Sequence, residues 1–569
     1  MKPTHARRAA HPLFVAQLHG TQREMGAQHG AMTRAAGEWQ AVMGYYPRMP
    51  EILLGGNAPL ARAAVRPIVE IGVNRLELGR DPELRDRTRA FLAALGLSPR
   101  KSRHYQAMDV FQNIVNMAGR LRLGPFAERL AEQAPAACST LVAWGEASAD
   151  GALKHARNFD FPGVGIWERG PAVVFCTPRE GLRYGFVTVR GADVPAVSVF
   201  NEAGISITPH TRFHEGATWS GVCVVDLVHD VIRKARTLAD AERLIRERPI
   251  ASSWGLCVSS ADEGRAASFE VCGAQVRAVL PGAGEHFLAV TNRYVDAEMQ
   301  RGEVTISPAF VRNSDGRYAL LRAAGLRGGL TTAALQALLG SNEDFEVPGL
   351  ERSVGGVPAQ ALSVHSVVIE PEISAVHVSV GPAPTGKGPW VAVPWAWGDA
   401  PGFRIDRLDD SATLTVHDEG HFDRGAQAQG LTAFIEATAI SSRGGDPRQA
   451  VALLEDAVRH DPLDPTYRLL IGGAHLNRGD WRGALGHFRA GLDHERSSFY
   501  RGQLLLWASR AAAAAADQHA AALRQELLAL THPQLATHHA AARAEASAPL
   551  TGAHIKKVRL NYHLADLAV

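Results

Sequence analysis

Cys138 follows two small residues and opens an apolar run, Cys138-Ser139-Thr140-Leu141-Val142, and Arg157 and Asp160 follow about twenty positions later in Arg157-Asn158-Phe159-Asp160-Phe161. A thiol at neutral pH is mostly protonated, so a nucleophilic cysteine needs a depressed pKa or a base that takes its proton. No histidine stands beside Cys138 in a recognisable motif. A chain cut between Ala137 and Cys138 would place an α-amine, with an ordinary pKa of about 7.7–8.0, on the nucleophile's own residue. Arg157 is a cation that would hold the thiolate, and Asp160 a carboxylate that would anchor the amine. Attack on an amide also puts negative charge on oxygen, and each fixed amide donor stabilises that charge by about 3 kcal/mol. Two asparagines follow apolar runs downstream: Asn201, in Val199-Phe200-Asn201-Glu202-Ala203-Gly204, and Asn292, in Ala289-Val290-Thr291-Asn292-Arg293. Plainer readings stand beside each of these: a buried strand-start cysteine, a strand-end salt bridge for Arg157 and Asp160, and a hairpin turn for Asn201.

The elements that must position these residues differ along the chain. Residues 1 to about 137 read mostly helical, with apolar residues at helical spacing through Leu60–Leu97 and Met108–Leu130; a strand-like alternation, Phe14–Leu18, precedes them. From Cys138 to about residue 420, short apolar runs alternate with Gly, Asp and Pro turns around a helical stretch near 221–248. Blocks of strands with helical pairs between them imply an α+β layered architecture. In a strand, Arg157 and Asp160 face opposite ways unless the chain bends, and Phe161-Pro162-Gly163 supplies a bend nearby.

Beyond residue 420 the chain turns Ala-rich and helical. Gly445-Asp446-x-Arg448-x-Ala450-x-x-x-Leu454 recurs as Gly479-Asp480-x-Arg482-x-Ala484-x-x-x-Phe488, a spacing of 34 residues. That is the tetratricopeptide (TPR) period. It fits a stack of helical hairpins and a peptide-binding groove equally well. His519, His532, His538 and His539 lie in this region and read as solvated surface side chains rather than metal ligands.

Composition narrows the function classes. A chain of 569 residues suggests two to four domains, and a formal net charge of +2 without a basic stripe argues against nucleic acid as the main partner. Five cysteines without zinc-site spacing form no disulfide framework, and the four downstream ones sit in apolar runs as inert thiols. With no eighteen-residue apolar run there is no membrane span, and a cytoplasmic location is expected. Gly-rich pieces such as 352–356 lack the setting of a phosphate loop.

Taken in order, Cys138, Arg157/Asp160, Asn201, Asn292 and Arg317 (in Asn313-Ser314-x-x-Arg317) resemble the pattern of the N-terminal-nucleophile (Ntn) cysteine hydrolases. The group with the best match contains the penicillin-acyltransferase-like, C45-type autoproteolytic enzymes related to choloylglycine hydrolases. Glu24-Met25-Gly26-x-Gln28-His29-Gly30 resembles the opening of such precursors, and Ser363–Val368 with Val376–Gly381 their closing strand pair. The resemblance spans roughly residues 12–400; Ala137 departs from it, since penicillin acyltransferase has Gly before its nucleophile. It implies a four-layer αββα sandwich at 138–420, a helical pro-region or small subunit at 1–137, and a separate TPR-like region at 421–569. By the same resemblance Arg157 lies by the thiol, Asp160 binds the α-amine, Asn201 and Asn292 hold the oxyanion, and Arg317 sits near the site. The implied activity is hydrolysis or transfer of an acyl group from a small-molecule amide, without cofactor or metal. Two other readings remain open: an inactive Ntn-like scaffold that binds a protein partner through its TPR-like repeats, and an uncleaved cysteine hydrolase using a distant histidine.

Overall fold

The computed structural model describes residues 11–55, 59–98, 107, 110, 111, 113, 137–305, 307–353, 355–408, 426–443, 445–548, 550, 552–556 and 558–567. Most of the segment read as helix at Met108–Leu130, and the boundary at 420, lie outside these residues.

The protein is a mixed α/β structure with a sheet-rich part and a helical C-terminal region. Its principal strands are β1 (His11–Gly20), β2 (Ala137–Gly145), β3 (Gly151–Asp160), β4 (Pro171–Pro178), β5 (Tyr184–Val189), β6 (Ser198–Asn201), β7 (Ile205–Thr211), β8 (Ile250–Ser260), β9 (Arg265–Gly273), β10 (Gln275–Val279), β11 (Phe287–Val290), β12 (Ser363–Glu370), β13 (Ala375–Ser379), β14 (Trp390–Pro394) and β15 (Gly402–Leu408). A nine-stranded sheet runs β10-β9-β8-β7-β6-β5-β4-β1-β15, and a six-stranded sheet runs β11-β2-β3-β12-β13-β14. Neighbours are antiparallel except β1 and β4, which are parallel.

Several of these strands are apolar on both faces because both faces are covered. In β1, Leu13 and Val15 meet Val367, Val376 and Val391 of the other sheet, so the two sheets share a core. Their neighbours Phe14, Ala16 and Leu18 face outward, onto Met25, Phe91 and Leu227 of flanking helices. Leu141, Ala156 and Val368 of the six-stranded sheet likewise pack outward, against Leu321, Leu335 and Leu339.

The N-terminal region is therefore not helical throughout: β1 is an interior strand, with β4 on one side and β15 on the other. The helix Gln22–Ala36 that follows it starts at a capping box formed by Thr21 and Glu24. Its Gly26 and Gly30 lie against the backbone of the helix Pro82–Ala94, where a Cβ would run into the carbonyls of Arg87 and Phe91. That contact explains the two glycines of the Glu24–Gly30 motif.

In the C-terminal region the repeated Gly-Asp pairs mark helix starts. Asp446 caps Pro447–His460 and Asp480 caps Trp481–Leu492, each accepting a backbone N–H of the first turn. Ala450, Leu454, Ala484 and Phe488 form the buried faces of these helices. No helix among the described residues is long and apolar enough to cross a membrane.

Candidate active site

Strand pairing brings the first two candidates together. Cys138 pairs with Phe159 and Thr140 with Arg157 across β2 and β3, so all four side chains share the face that looks toward the second sheet. The Arg157 guanidinium lies 4.9 Å from the centroid of the Phe159 ring. It donates to Cys138 Sγ at 3.1 Å, to the Pro209 carbonyl at 2.9 Å and to Ser198 Oγ at 3.3 Å.

The backbone of Cys138 is held just as closely. Pairing of β11 with β2 runs from Phe287↔Ala143 to Val290↔Thr140. Two residues further on, the same register sets Asn292 opposite Cys138. There Asn292 Oδ1 accepts the Cys138 N–H at 2.9 Å, while its Nδ2 donates to the Thr211 carbonyl at 3.2 Å. Arg317 reaches in from the helix Pro308–Arg327, which starts at a Ser307 cap with Pro308 in its first turn. It donates to the Cys138 carbonyl at 2.6 Å, to Ser139 Oγ at 3.0 Å and to Asn292 Oδ1 at 2.8 Å.

Asp160 ends β3 opposite Ala137, on the sheet face away from Arg157, as strand alternation requires. Its carboxylate accepts from Ser363 Oγ at 2.6 Å and from Gln360 Nε2 at 2.8 Å. Burial raises its pKa to about 6, against the pull of Arg317, Ser363 and Arg157. Burial also pushes the Cys138 thiol upward, with Arg157 the main opposing influence. In the continuous chain Cys138 is 2% exposed and its thiol is protonated at neutral pH.

The structure does not bring Asn201 to this cluster, which corrects the sequence-based expectation. Both of its amide N–H bonds go to the carbonyls of Ile232 and Ala235, and its Oδ1 accepts the N–H groups of Ala203 and Ile205. In β6, Ser198 and Phe200 point between the sheets, whereas Asn201 lies on the face covered by the helix Val224–Lys234. Its amide ties a turn to that helix and has no donor left for an oxyanion.

Several participants were not singled out as site residues, and of these Gln360 lies in no motif. Gln360 and Ser363 come from a loop and from a strand start, and Asn313 accepts from Arg317 Nε at 3.0 Å. Ser314 Oγ accepts the Asn292 N–H at 3.0 Å; its place in Asn313-Ser314-x-x-Arg317 was the available signal. Three histidines lie between the sheets. His365 is bonded to Ser198, His155 to Thr208 and Ser259, and His210 to Thr140. Burial holds His155 and His365 down at about 3, and His210 well below its ordinary value, so none is a strong base at neutral pH. The other four cysteines are buried and form no disulfide, and burial pushes Cys257 up to about 12.

Among the described residues no group of three His, Cys, Asp or Glu side chains is arranged to hold a metal ion. The C-terminal histidines are not uniformly solvated, contrary to expectation. His538 is buried, with its ring edge-on to Phe499, and His532 is bonded to Glu346 at 2.8 Å.

No protein-family model and no curated protein matches the chain. Among solved structures it is similar to a Caenorhabditis elegans N-acylethanolamine-hydrolyzing acid amidase (NAAA) ortholog, with 17% identity, covering 41% of this chain and 93% of that one, at a TM-score of 0.30. A likeness of that size carries no argument about fold or chemistry.

Proposed function

We propose that the chain is a self-processing Ntn cysteine hydrolase or acyltransferase of the C45 kind, acting on linear amides through an acyl-enzyme on Cys138. One observation carries this reading: the N–H, the carbonyl and the sulfur of Cys138 are each held by a different side chain, Asn292, Arg317 and Arg157. A buried structural cysteine needs no such grip. A residue that must offer an amine and a thiol to the same substrate carbonyl does.

In this reading the two stacked sheets and their outer helices are the four-layer αββα sandwich of that group. The bond between Ala137 and Cys138 is cut by the chain itself. The small subunit is residues 1–137, the hydrolase core runs to about 420, and the TPR-like helical region covers 421–569. The freed amine takes the proton of the Cys138 thiol, and the sulfur bonds to the substrate's amide carbon. Asn292 Nδ2 gives one N–H to the Thr211 carbonyl and offers its second to the oxyanion, and Asp160 anchors the amine through the strand end. As the C–N bond breaks, the amine returns the proton to the leaving nitrogen. Water or a second amine then takes the acyl group from sulfur, yielding an acid or a new amide. Arg157 favours the thiolate at each stage.

The test is the intact mass of the purified chain beside Cys138→Ala. Two fragments that join at 137/138 in the parent protein, and one uncut chain in the variant, are expected. An uncut parent chain that hydrolyses no acyl p-nitroanilide refutes the reading.

A further inference from the structure

Two halves of the site are joined by side chains with no assigned role. Gln360 Nε2 donates to Asp160 Oδ2 at 2.8 Å, and its Oε1 accepts from Asn313 Nδ2 at 2.8 Å. Asn313 Oδ1 in turn accepts from Arg317 Nε at 3.0 Å, and Arg317 donates to the Cys138 carbonyl. The Gln360 backbone N–H also donates to Ser363 Oγ at 2.9 Å, and that hydroxyl donates to Asp160 Oδ1. The result is an unbroken line of buried hydrogen bonds from Asp160, through Gln360 and Asn313, to Arg317 and Cys138.

The loop that carries Gln360 is fastened from outside the sheets. Arg352 donates to Glu495 at 2.9 Å and also to Asp344, which Arg312 grips at 2.9 Å. Ser353 Oγ donates to Asp464 at 2.8 Å. Gly355, whose carbonyl accepts from Asn313, lies against the Tyr500 hydroxyl, where a Cβ would crowd it. Glu495, Asp464 and Tyr500 all belong to the helical C-terminal region. Arg312, Arg352, Asp344 and Glu495 are at most 4% exposed. Buried ion pairs of this kind gain little net stability, but they enforce one arrangement.

We infer that Gln360 and Asn313 are positioning residues that set Asp160 and Arg317 relative to Cys138, and that the C-terminal helices act as the clamp holding Gln360 in place. The inference rests on the proposed self-processing reading. It makes the helical region part of the catalytic apparatus rather than a tethered module. Gln360 also stabilises the ionised form of Asp160, since it is an N–H donor to the carboxylate. Without it, Asp160 takes up its proton at higher pH.

The experiment compares Gln360→Met and Glu495→Gln with the parent chain. Its readouts are the pH profile of acyl p-nitroanilide hydrolysis, the thermal midpoint and the hydrogen exchange of peptides spanning 137–141 and 311–318. Gln360→Met is expected to move the acid limb of the profile up by about one pH unit, the scale of one hydrogen bond to a charged group. Glu495→Gln should move it in the same direction by less, with faster exchange in both peptides. An unmoved limb in Gln360→Met, whatever its thermal midpoint, overturns the inference. If the parent chain proves uncut and inactive, the functional reading fails by itself. Exchange in the uncut protein then decides, and unchanged protection at 137–141 and 311–318 in both variants overturns the positioning role.

Discussion

Arg157 is the sharpest test of whether the cluster is built for chemistry or for folding. Its side chain is fully buried, and among the described residues no carboxylate forms an ion pair with it. Its partners are a hydroxyl, a carbonyl and a thiol, and its Nε has none. Burying a cation without a matching anion costs several kcal/mol. Replacing it with Met removes that cost and fills similar space, but strips the Pro209 carbonyl of its donor, worth about 1–3 kcal/mol. The two roughly cancel or favour the variant. Arg157→Met in a Cys138→Ala background, where no cut confuses the comparison, is therefore expected to melt at the same temperature as Cys138→Ala or higher. The same change in the parent chain withdraws the main influence that lowers the thiol pKa, typically 1–3 units for a charge at this distance. Self-cleavage should slow by about 10-fold to 1000-fold, read by intact mass over time. A variant that melts many degrees lower yet still cuts itself would refute the reasoning and make Arg157 a structural cation.

Asn201→Ala leaves two helix-end carbonyls and two turn N–H groups without partners, at about 1–3 kcal/mol for each group that stays dry; its thermal midpoint should fall while hydrolysis per folded molecule is unchanged. After the cut, residues 1–137 and 138–569 should elute as one species in size exclusion and separate only in denaturant, because β1 lies between β4 and β15 and Arg87 grips Asp193 at 2.7 Å in the interior. Asp160 titrates near 6 in the fold and near its ordinary 3.8 unfolded, so the folded state binds the extra proton between those values. Stability from this group is thus full below pH 4 and lost by about 3 kcal/mol as pH rises through 6. Asp160→Asn should flatten the melting curves across pH 4–7, leaving the slope that Asp461 and Asp566, pushed up by burial to about 6 and about 7, contribute, and should remove activity. Deleting residues from 558 onward uncovers the surface that Tyr562, Leu564 and Leu567 bury, roughly 1.5–3 kcal/mol per side chain. The truncated chain should melt lower and bind an apolar dye that the full chain excludes.

The candidate site was legible where chemistry and strand register coincide in short segments. Cys138 opens the apolar run of β2, Asn292 follows that of β11, Arg157 lies in β3 alongside, and pairing alone carries them together. Arg317 could be seen only through its Ser-x-x-Arg segment, since a buried arginine on a helix has no periodic signature. Asn201 was misread because Asn-Glu-Ala-Gly satisfies both an oxyanion-hole pattern and ordinary turn chemistry. The turn prevails because Asn201 Oδ1 accepts the N–H groups of its own two- and four-residue neighbours. Gln360 lay beyond reach: its loop has no repeat spacing, and its place is set by ion pairs to a region more than a hundred residues away. The segment Phe14–Leu18 did alternate like a strand, but nothing local says that its partners are β4 and β15.

The C-terminal region shows why a repeat period does not by itself imply a docking groove. Two of its helices start at the repeated Gly-Asp pairs, yet the chain's own last described residues lie against the region. Tyr500 donates to the Leu564 carbonyl, Trp507 to that of Leu567 and Asn477 to that of Val558. Leu560 and Leu567 come so close to Gly473 that a Cβ there would strike them. On another side, Glu495, Asp464 and Tyr500 hold the loop that carries Gln360. A surface filled by its own chain and a flank locked by buried ion pairs leave those residues unavailable to a visiting peptide. The same contacts tie the helical region to the candidate site: Asp160 and Arg317 belong to different elements, and the loop that carries Gln360 between them is held by Glu495 and Asp464 of the helices as well as by Asn158 and Arg312 of the sheet-rich part.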